Sequence, residues 1–300
     1  MSQRGTIKRY TAIIEKIGGN QFPSAQAILD FLEDLGFSIS KRTLERDFDA
    51  IRNEFGVEIT YNNEKRGYFI DHENSVEIGS FLRFLEIVNT ADLLTESLSE
   101  SKQTLNYIHF DEGGGMHGVE QLRPILQAIK EQREIKFKHF NYQREKWHTF
   151  KMRPYLLKEY QNRWYVVGWV RGIRTFRTFG VDRINELEVL SSTFERAEKV
   201  DLHSKFDATI GVIYGDGKRE RILLHFSHEQ KHYVKSLPWH PTQQIINDNE
   251  DGLTVSLFIV PNYELIQQVL MHHSFVKVLE PKWLREELKE KLMEALEMYR

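Results

Sequence analysis

The chain has 300 residues, of which 40% are hydrophobic and 28% are charged, and its formal net charge at pH 7 is −3. This length allows two or three domains with buried cores. The absence of cysteine excludes disulfides, thiolate zinc sites and cysteine nucleophiles. No apolar run is long enough to cross a membrane and the N-terminus does not resemble a signal peptide, so we expect a cytoplasmic protein with no membrane attachment.

Residues 1–70 predict three short helices followed by a β-hairpin. Apolar residues recur at helical spacing in three segments, and Ser24 and Ser40 stand where the N-caps of the second and third helices are expected. Residues 57–61 and 67–70 have strand composition and flank a polar turn. This is the layout of a winged helix-turn-helix, which binds double-stranded DNA.

The third predicted helix has a core face and an exposed face. Leu44, Phe48 and Ile51 fall within one narrow arc, whereas arginines and an amide point the other way, where they suit contacts with bases and phosphates. The alternative is a solvated amphipathic helix, because residues 1–70 carry ten basic and ten acidic groups. The residues predicted to contact DNA are Lys41, Arg42, Thr43, Arg46 and Asn53 on the helix, and Lys65 and Arg66 at the hairpin tip.

Residues 71–118 predict a helical linker. Its apolar residues between 76 and 94 lie on more than one helical face, so other elements or a second subunit must cover them. Together with the need for two DNA-reading helices, this favours a homodimer. The run 111–115 (DEGGG) is typical of a flexible linker. It lacks the Gly-Lys-Ser/Thr that completes a phosphate-binding loop, which excludes that reading.

Residues 119–192 contain a basic, aromatic-rich segment with the alternation of short strands. Between residues 130 and 183 there are fourteen Lys or Arg against five Asp or Glu, in a chain that is acidic overall. Short polar loops between the strands favour a small barrel. Such a charge excess with interleaved aromatic residues indicates a site for an anion, such as single-stranded nucleic acid or a nucleotide.

Within this segment five polar side chains are candidates for effector binding. Arginine offers a planar donor fork for phosphate, and histidine or tyrosine adds a hydrogen bond or a stacking face. For Trp164 a core position is the better interpretation, and Arg183 beside Asp182 has an alternative role as a structural ion pair. The predicted effector-binding residues are His139, Arg153, Tyr165, Arg177 and Arg183.

Four pieces of the basic segment resemble a WYL domain: 153–157 (RPYLL), 163–168 (RWYVVG), 177–179 (RTF) and 182–184 (DRI). That family is a five-stranded Sm-like barrel found mostly in bacterial transcriptional regulators. The resemblance implies a regulatory nucleic acid or nucleotide bound at the positions named above. Residues 40–47 (SKRTLERD) are similar to the helix-turn-helix that commonly precedes a WYL domain, which strengthens the DNA-binding interpretation.

Residues 193–300 predict a small α+β sandwich with a closing helix over 283–299. Residues 210–214 and 221–226 are predicted to pair as a hairpin across Asp216 and Gly217. The ending 276–281 (VKVLEP) resembles the WCX-type extension often found after WYL domains. Three histidines at 225, 228 and 232 lack a carboxylate at the spacing of a known metal site, so we expect no metal.

These predictions describe an α+β multidomain protein: a winged helix-turn-helix (1–70), a helical linker (71–118), a small Sm-like/SH3-like β-barrel (119–192) and an α+β extension (193–300). No catalytic motif is present, so we expect neither an enzyme nor a cofactor. The favoured function is a DNA-binding transcriptional regulator whose WYL domain senses an anionic effector. The alternative is an Sm-like module that binds RNA or a nucleotide, with the N-terminal helices used only for assembly.

Overall fold

The computed structural model divides the chain into two compact units, Met1–Asp111 and Glu112–Arg300. Most of the predicted linker, including the run 111–115, lies outside the described residues. Of the stretch 76–94, residues 79, 81–83, 85, 87 and 90 are described and helical, and Phe81 and Leu85 are buried in the core of the first unit. Among the helices that are described, none has the length and apolar character that a membrane span requires. The described residues are 3–18, 22–72, 74, 75, 79, 81–83, 85, 87, 90, 118–197, 200–215 and 217–300.

The first unit contains the three helices and the hairpin that the sequence predicts. The elements are α1 (Gln3–Gly18), α2 (Ala25–Asp34), α3 (Lys41–Phe55), β1 (Ile59–Asn62) and β2 (Gly67–Ile70). The strands β1 and β2 pair antiparallel. Both predicted N-caps are confirmed, since Ser24 Oγ accepts from the Ala27 amide and Ser40 Oγ from the Thr43 amide, each at 3.2 Å. The assignment as a winged helix-turn-helix stays a prediction.

A buried ion pair joins α1 to α3. The Arg9 guanidinium donates to both carboxylate oxygens of Asp47, at 2.6 and 2.8 Å, and both side chains are almost fully buried. Such a two-bond pair fixes the direction of both side chains. It sits beside an apolar core formed by residues of all three helices and the hairpin, including Ile13, Ile17, Ile28, Leu32, Leu44, Phe48, Ile51 and Ile70.

The second unit begins with a helix and a five-stranded antiparallel sheet. The elements are α4 (Val119–Lys130), β3 (Arg133–Asn141), β4 (Lys146–Tyr160), β5 (Arg163–Val170), β6 (Thr175–Gly180) and β7 (Ile184–Thr193). The strand order is β6-β5-β4-β3-β7. Strand β4 runs further than the sequence suggested, because a bulge between Pro154 and Leu156 accommodates the proline inside it. Closure of this sheet into a barrel stays a prediction.

The two faces of this sheet have different roles. One face, which we call the helix face, packs against α4 through Phe137, Met152, Val166 and Phe179. Side chains alternate along each strand, so the neighbouring positions form the opposite face. We call it the charged face because of its basic residues on β3 and β4, although on β5 and β6 it is apolar and packs against Phe194 and Leu202. The charged face carries Lys136, Lys138, Lys151, Arg153 and Tyr165.

The remainder of the second unit is a four-stranded antiparallel sheet with helices. The elements are α5 (Leu202–Phe206), β8 (Glu220–Ser227), α6 (Lys231–Ser236), β9 (Gln244–Asn249), β10 (Gly252–Ile259), α7 (Tyr263–Met271), β11 (Val276–Glu280) and α8 (Lys282–Glu297). The strand order is β11-β8-β10-β9. The closing helix and the α+β character agree with the sequence prediction.

The hairpin predicted from residues 210–226 is wrong. Strand β8 pairs with β10 and β11, and residues 210–214 form a loop. The Asn262 side-chain amide donates to the carbonyls of Ile210 and Ile213, and Glu264 accepts from two amides of the same loop. Four backbone polar groups of this loop are therefore satisfied by the N-cap and the first turn of α7 and not by a neighbouring strand.

Candidate nucleic-acid and effector sites

The exposed face of α3 presents the residues that the sequence assigned to DNA. Arg42, Arg46 and Asn53 are exposed, whereas Leu44 and Ile51 are buried on the opposite side. Lys41 is exposed at the start of the helix, and Thr43 Oγ1 lies 3.0 Å from Ser40 Oγ within the cap. The predicted orientation of this helix is therefore present, while DNA binding itself stays a prediction.

Acidic groups on α3 are partly neutralised from within the unit. Arg52 pairs with Asp49 at 2.9 Å and with Glu58 at 2.7 Å. Within the described part of the chain, neither Arg42 nor Arg46 forms an ion pair. Their guanidinium groups remain available to a ligand in the solvent.

At the hairpin tip, Lys65 and Arg66 are exposed. The Lys65 ammonium lies over the ring of Phe22, 4.0 Å from its centroid, a favourable cation–π contact. Asn62 Oδ1 accepts from the Lys65 amide at 2.9 Å and holds the turn. The hairpin tip is thus an ordered turn that carries two positive charges.

In the five-stranded sheet, His139 is buried at the end of the helix face. It stands opposite His148 on β4 and Ile184 on β7, and its ring centroid is 5.0 Å from that of Phe179. Burial, with a contribution from the charge of Arg183, lowers the pKa of His139 to about 4. The ring is therefore neutral at pH 7 and contributes no positive charge to this end of the sheet.

Three buried polar atoms near this end have no hydrogen-bond partner among the described residues: His139 Nε2, His148 Nε2 and Arg183 Nε. Buried polar atoms in native structures are nearly always paired, so three such atoms near one end of the sheet are unusual. His148, on the same sheet face as His139, was not predicted. Its alternation with Phe150 and Met152 along β4 was the signal for it.

Arg183 and Tyr165 lie close to the short segment that joins β6 to β7. The Arg183 guanidinium stands over Tyr142, 4.9 Å from the ring centroid, and its Nε is 3.9 Å from Asp182 Oδ1. This long, monodentate contact is a weak ion pair. Tyr165 faces Gly180 across β5 and β6, and burial raises the pKa of its hydroxyl while the charges of Arg163 and Arg183 lower it.

Arg177 and Arg153 occupy different faces of the sheet. Arg177 is exposed on the helix face, two positions before Phe179 and thus roughly 7 Å along β6 from it. Arg153 lies on the charged face, where its Nε is 3.4 Å from the buried carboxylate of Glu134. The predicted set therefore does not converge on one surface.

Glu134 is a buried carboxylate that binds two basic side chains of the charged face, Lys151 and Arg153. It accepts from Lys151 Nζ at 2.9 Å and from Ser192 Oγ at 2.8 Å, in addition to Arg153. Burial alone raises the pKa of Glu134, but the hydrogen bonds from Lys151, Ser192 and Arg153 outweigh it and lower the pKa. Arg153 therefore has a structural partner that the sequence did not reveal.

Part of the positive charge of the segment is neutralised by β7. Lys138 pairs with Glu186 at 2.6 Å and Lys136 with Glu188 at 3.9 Å. Both acids follow the window over which the charge excess was counted. The exposed arginines without an ion pair in the described part of this sheet lie in or near its turns: Arg144 in the β3–β4 turn, and Arg171, Arg174 and Arg177 on or near the β5–β6 turn.

The histidines considered for a metal site make other contacts. His225 Nδ1 lies 3.0 Å from Thr254 Oγ1, and His228 Nδ1 lies 3.0 Å from the Glu250 carbonyl. Over the described residues, no group of three His, Cys, Asp or Glu side chains is arranged to hold a metal ion.

No curated protein matches this chain at a significant level. Among solved structures it is similar to proteasome accessory factor B/C (PafBC) of Arthrobacter aurescens, at 16% identity and a TM-score of 0.34, over 94% of this chain and 45% of that one. It is also similar to a CRISPR Cas-related protein, at 13% identity and a TM-score of 0.40, over 99% of this chain and 85% of that one. The chain spans less than half the length of the PafBC structure.

Two family models match parts of the second unit. Residues 120–189, which contain α4 and nearly all of the five-stranded sheet, match the WYL domain. Residues 218–296, which contain the four-stranded sheet and its closing helix, match the WCX domain. The chain therefore carries a WYL domain followed by a WCX domain, a pair that fits a WYL-domain regulator.

Proposed function

We propose that this protein is a transcriptional regulator that binds a double-stranded DNA operator as a homodimer and responds to an anionic effector bound by its WYL domain. The observation that carries the DNA-binding part is the division of α3 into a buried apolar face and an exposed face with Arg42, Arg46 and Asn53. This is the arrangement that a recognition helix needs, because one face must hold the fold while the other reads bases.

The chemistry of the exposed face suits the major groove. An arginine side chain donates two hydrogen bonds to O6 and N7 of guanine, and an asparagine bonds adenine in the same way. Lys65 and Arg66 at the hairpin tip are placed to contact phosphates, which position a protein on DNA without reading sequence. In a dimer, two such helices would contact half-sites one or more DNA turns apart.

The effector part of the proposal is supported by the polar atoms of His139, His148 and Arg183 that lack partners within the described residues. Aromatic rings lie at the same end of the sheet. The exposed rings of Tyr142 and Trp147 contact the half-buried Phe140, at centroid distances of 5.8 and 5.2 Å, and Tyr142 also contacts Arg183. Phe140 and Trp147 belong to the charged face, opposite His139 and His148. Aromatic rings beside arginine suit a nucleobase with its phosphate. We therefore propose a nucleotide or a short single strand as the effector, with Arg177 reaching its charge.

A mobility-shift titration with DNA from upstream of the protein's own gene tests the DNA-binding part. Changing Arg42 and Arg46 to Ala together should weaken specific binding, by about 1–3 kcal/mol for each arginine that reaches a base. The matched control is Arg300→Ala, which removes an exposed arginine from the C-terminus. If the double variant binds the operator like the wild type, α3 is not the reading helix. If the wild type binds RNA but no duplex DNA, the chain is an Sm-like RNA- or nucleotide-binding module.

A further inference from the structure

A cavity of about 420 Å³ lies between the WYL and WCX domains of the second unit. Tyr160 and Gln161, at the β4–β5 turn of the WYL domain, form one wall. The WCX domain supplies the other walls, including Trp239, Glu264 and His272. The volume falls in the range of small-molecule sites in proteins. None of the residues assigned above to DNA or to the anionic effector lines it.

The position of Glu264 in this cavity is fixed by the loop that precedes β8. Its Oε1 accepts from the amides of Val212 at 3.1 Å and Ile213 at 3.0 Å. Gly211, in the left-handed region at φ +84°, lies so close that a Cβ there would be 2.6 Å from Glu264 Cγ. Only a glycine allows the loop to close over this carboxylate.

The second carboxylate oxygen of Glu264, Oε2, accepts no hydrogen bond from the described residues. Glu264 is only 7% exposed, and no donor among the described residues reaches its Oε2. A buried carboxylate without a positive partner is costly, because it has lost its hydration. The loop needs only the acceptor at Oε1, which a glutamine would also supply. The contacts with the loop therefore do not explain why this position holds a carboxyl group and not an amide.

The walls beside Glu264 are aromatic. The rings of Trp239 and His272 lie 5.0 Å apart with planes inclined by 33°, and burial lowers the pKa of His272, which favours its neutral form. Hence His272 is not the cation that balances Glu264. Aromatic faces together with a carboxylate are the combination that recognises an organic cation.

We propose that this cavity is a second ligand site, which binds a small organic cation with a guanidinium or primary ammonium group on a short apolar stem. The cationic group pairs with the Glu264 carboxylate, whose Oε2 is covered until the ligand displaces the side chains around it, and the stem lies against Trp239. Because Tyr160 and Glu264 belong to different domains, the ligand contacts both and favours the arrangement in which they face each other. This site goes beyond the proposed function, since it requires neither DNA nor the anionic effector.

Isothermal titration of the full chain with butylguanidinium and with butylurea, its neutral counterpart, tests the proposal. We expect butylguanidinium to bind at least ten times more tightly than butylurea. Glu264→Gln should lower the affinity for butylguanidinium at least tenfold while leaving the melting temperature of the free protein nearly unchanged, because the acceptor for Val212 and Ile213 is kept. Equal binding of the two probes, or no binding of either by the wild type, overturns the proposal.

A second variant decides the matter if Glu264→Gln does not fold. Gln268 lines the cavity one helical turn after Glu264, so Gln268→Lys places a tethered ammonium group at the spacing of a helical ion pair. We expect this variant to melt at a higher temperature than the wild type and to lose butylguanidinium binding. The matched control is Gln143→Lys, an exposed residue in the β3–β4 turn. Unchanged binding by Gln268→Lys would show that Glu264 is not the site.

Discussion

At the residue scale, the burial of His139 makes the folding stability of the WYL domain depend on pH. Its pKa in the folded protein is about 4, mainly because burial disfavours the charged ring, against 6.5 for an exposed histidine. Below pH 6.5 the unfolded chain takes up a proton that the folded chain does not. The folded state therefore loses stability as the pH falls from about 6.5 to about 4, by up to roughly 3 kcal/mol from this residue.

Replacing His139 by Gln should reduce this acid sensitivity, because glutamine does not titrate. We expect the fall in melting temperature between pH 7 and pH 4.5 to be smaller in His139→Gln than in the wild type. Thermal unfolding followed by circular dichroism at both pH values measures it. His232→Gln, which changes an exposed histidine on α6, should keep the full loss. An identical loss in His139→Gln and the wild type would contradict the burial argument.

Strand alternation brought His139 and Arg183 into the predicted site, but it could not show which polar side chains are buried. Asp47 illustrates the limit. It follows Arg46 in a helix whose exposed face the sequence gives correctly, yet it is buried against Arg9, 38 residues away. Ion pairs between distant segments leave no periodic signal, so only the structure separates Arg153, held by Glu134, from Arg177, which is exposed.

At the scale of elements, the hairpin β1–β2 depends on a close approach between Gly67 and the segment before α2. The Tyr68 amide donates to the Pro23 carbonyl at 2.9 Å. A Cβ on Gly67 would lie 1.8 Å from the Phe22 carbonyl oxygen, far inside any allowed contact. The Lys65 ammonium lies over the ring of the same Phe22. The close approach of Gly67 to Phe22 therefore also affects the position of the hairpin tip.

We expect Gly67→Ala to destabilise the first unit by about 1–3 kcal/mol, because the Phe22 backbone must move to admit the methyl group. Operator binding should weaken too, as the tip moves with it. Chemical denaturation and the mobility-shift titration measure these effects. Gly5→Ala is the control: its Cβ meets no atom within 4 Å, and alanine in a helix is favoured by up to about 1 kcal/mol. Similar stability of the two variants would contradict the steric argument.

Element type was predictable wherever the apolar period was clear, as in the three N-terminal helices and the strands of the WYL sheet. Which strands pair with each other was not predictable from the sequence. The sequence predicted that residues 221–226 pair with their nearest neighbour, whereas β8 pairs with β10 and β11. Strand β9 was missed because all six of its residues are exposed, so it has no alternation between buried and exposed positions. Local patterns describe an element but not its neighbours.

At the scale of the whole molecule, we expect anion binding by the WYL domain to be independent of DNA binding by the first unit. The 300-residue chain with Arg42→Ala and Arg46→Ala should still bind a fluorescent oligo(dT). Adding Arg177→Ala should then flatten the dependence of log K on log salt by about 0.7, the value for one phosphate contact on a single strand. Fluorescence anisotropy at several salt concentrations measures this slope.

Two controls identify the face of the sheet that binds. Arg300→Ala in the same background should leave the slope unchanged. Glu186→Gln frees Lys138 on the charged face, so it should leave oligo(dT) binding unchanged if the anion binds at the helix face. Stronger binding by Glu186→Gln would move the site to the charged face. An unaltered slope in Arg177→Ala would show that Arg177 does not contact the oligonucleotide.

The strand order of the WYL sheet also bears on self-association. Its outer strands are β6 and β7, and an outer strand offers free backbone groups to any other strand. Strand β6 has only six residues and carries Arg177, while β7 has two register shifts, a positive φ at Glu186 and two glutamates. Short length, irregular backbone and charge all oppose the docking of a further strand. These features of β6 and β7 thus protect the sheet against amyloid-like stacking wherever many copies of the chain come together.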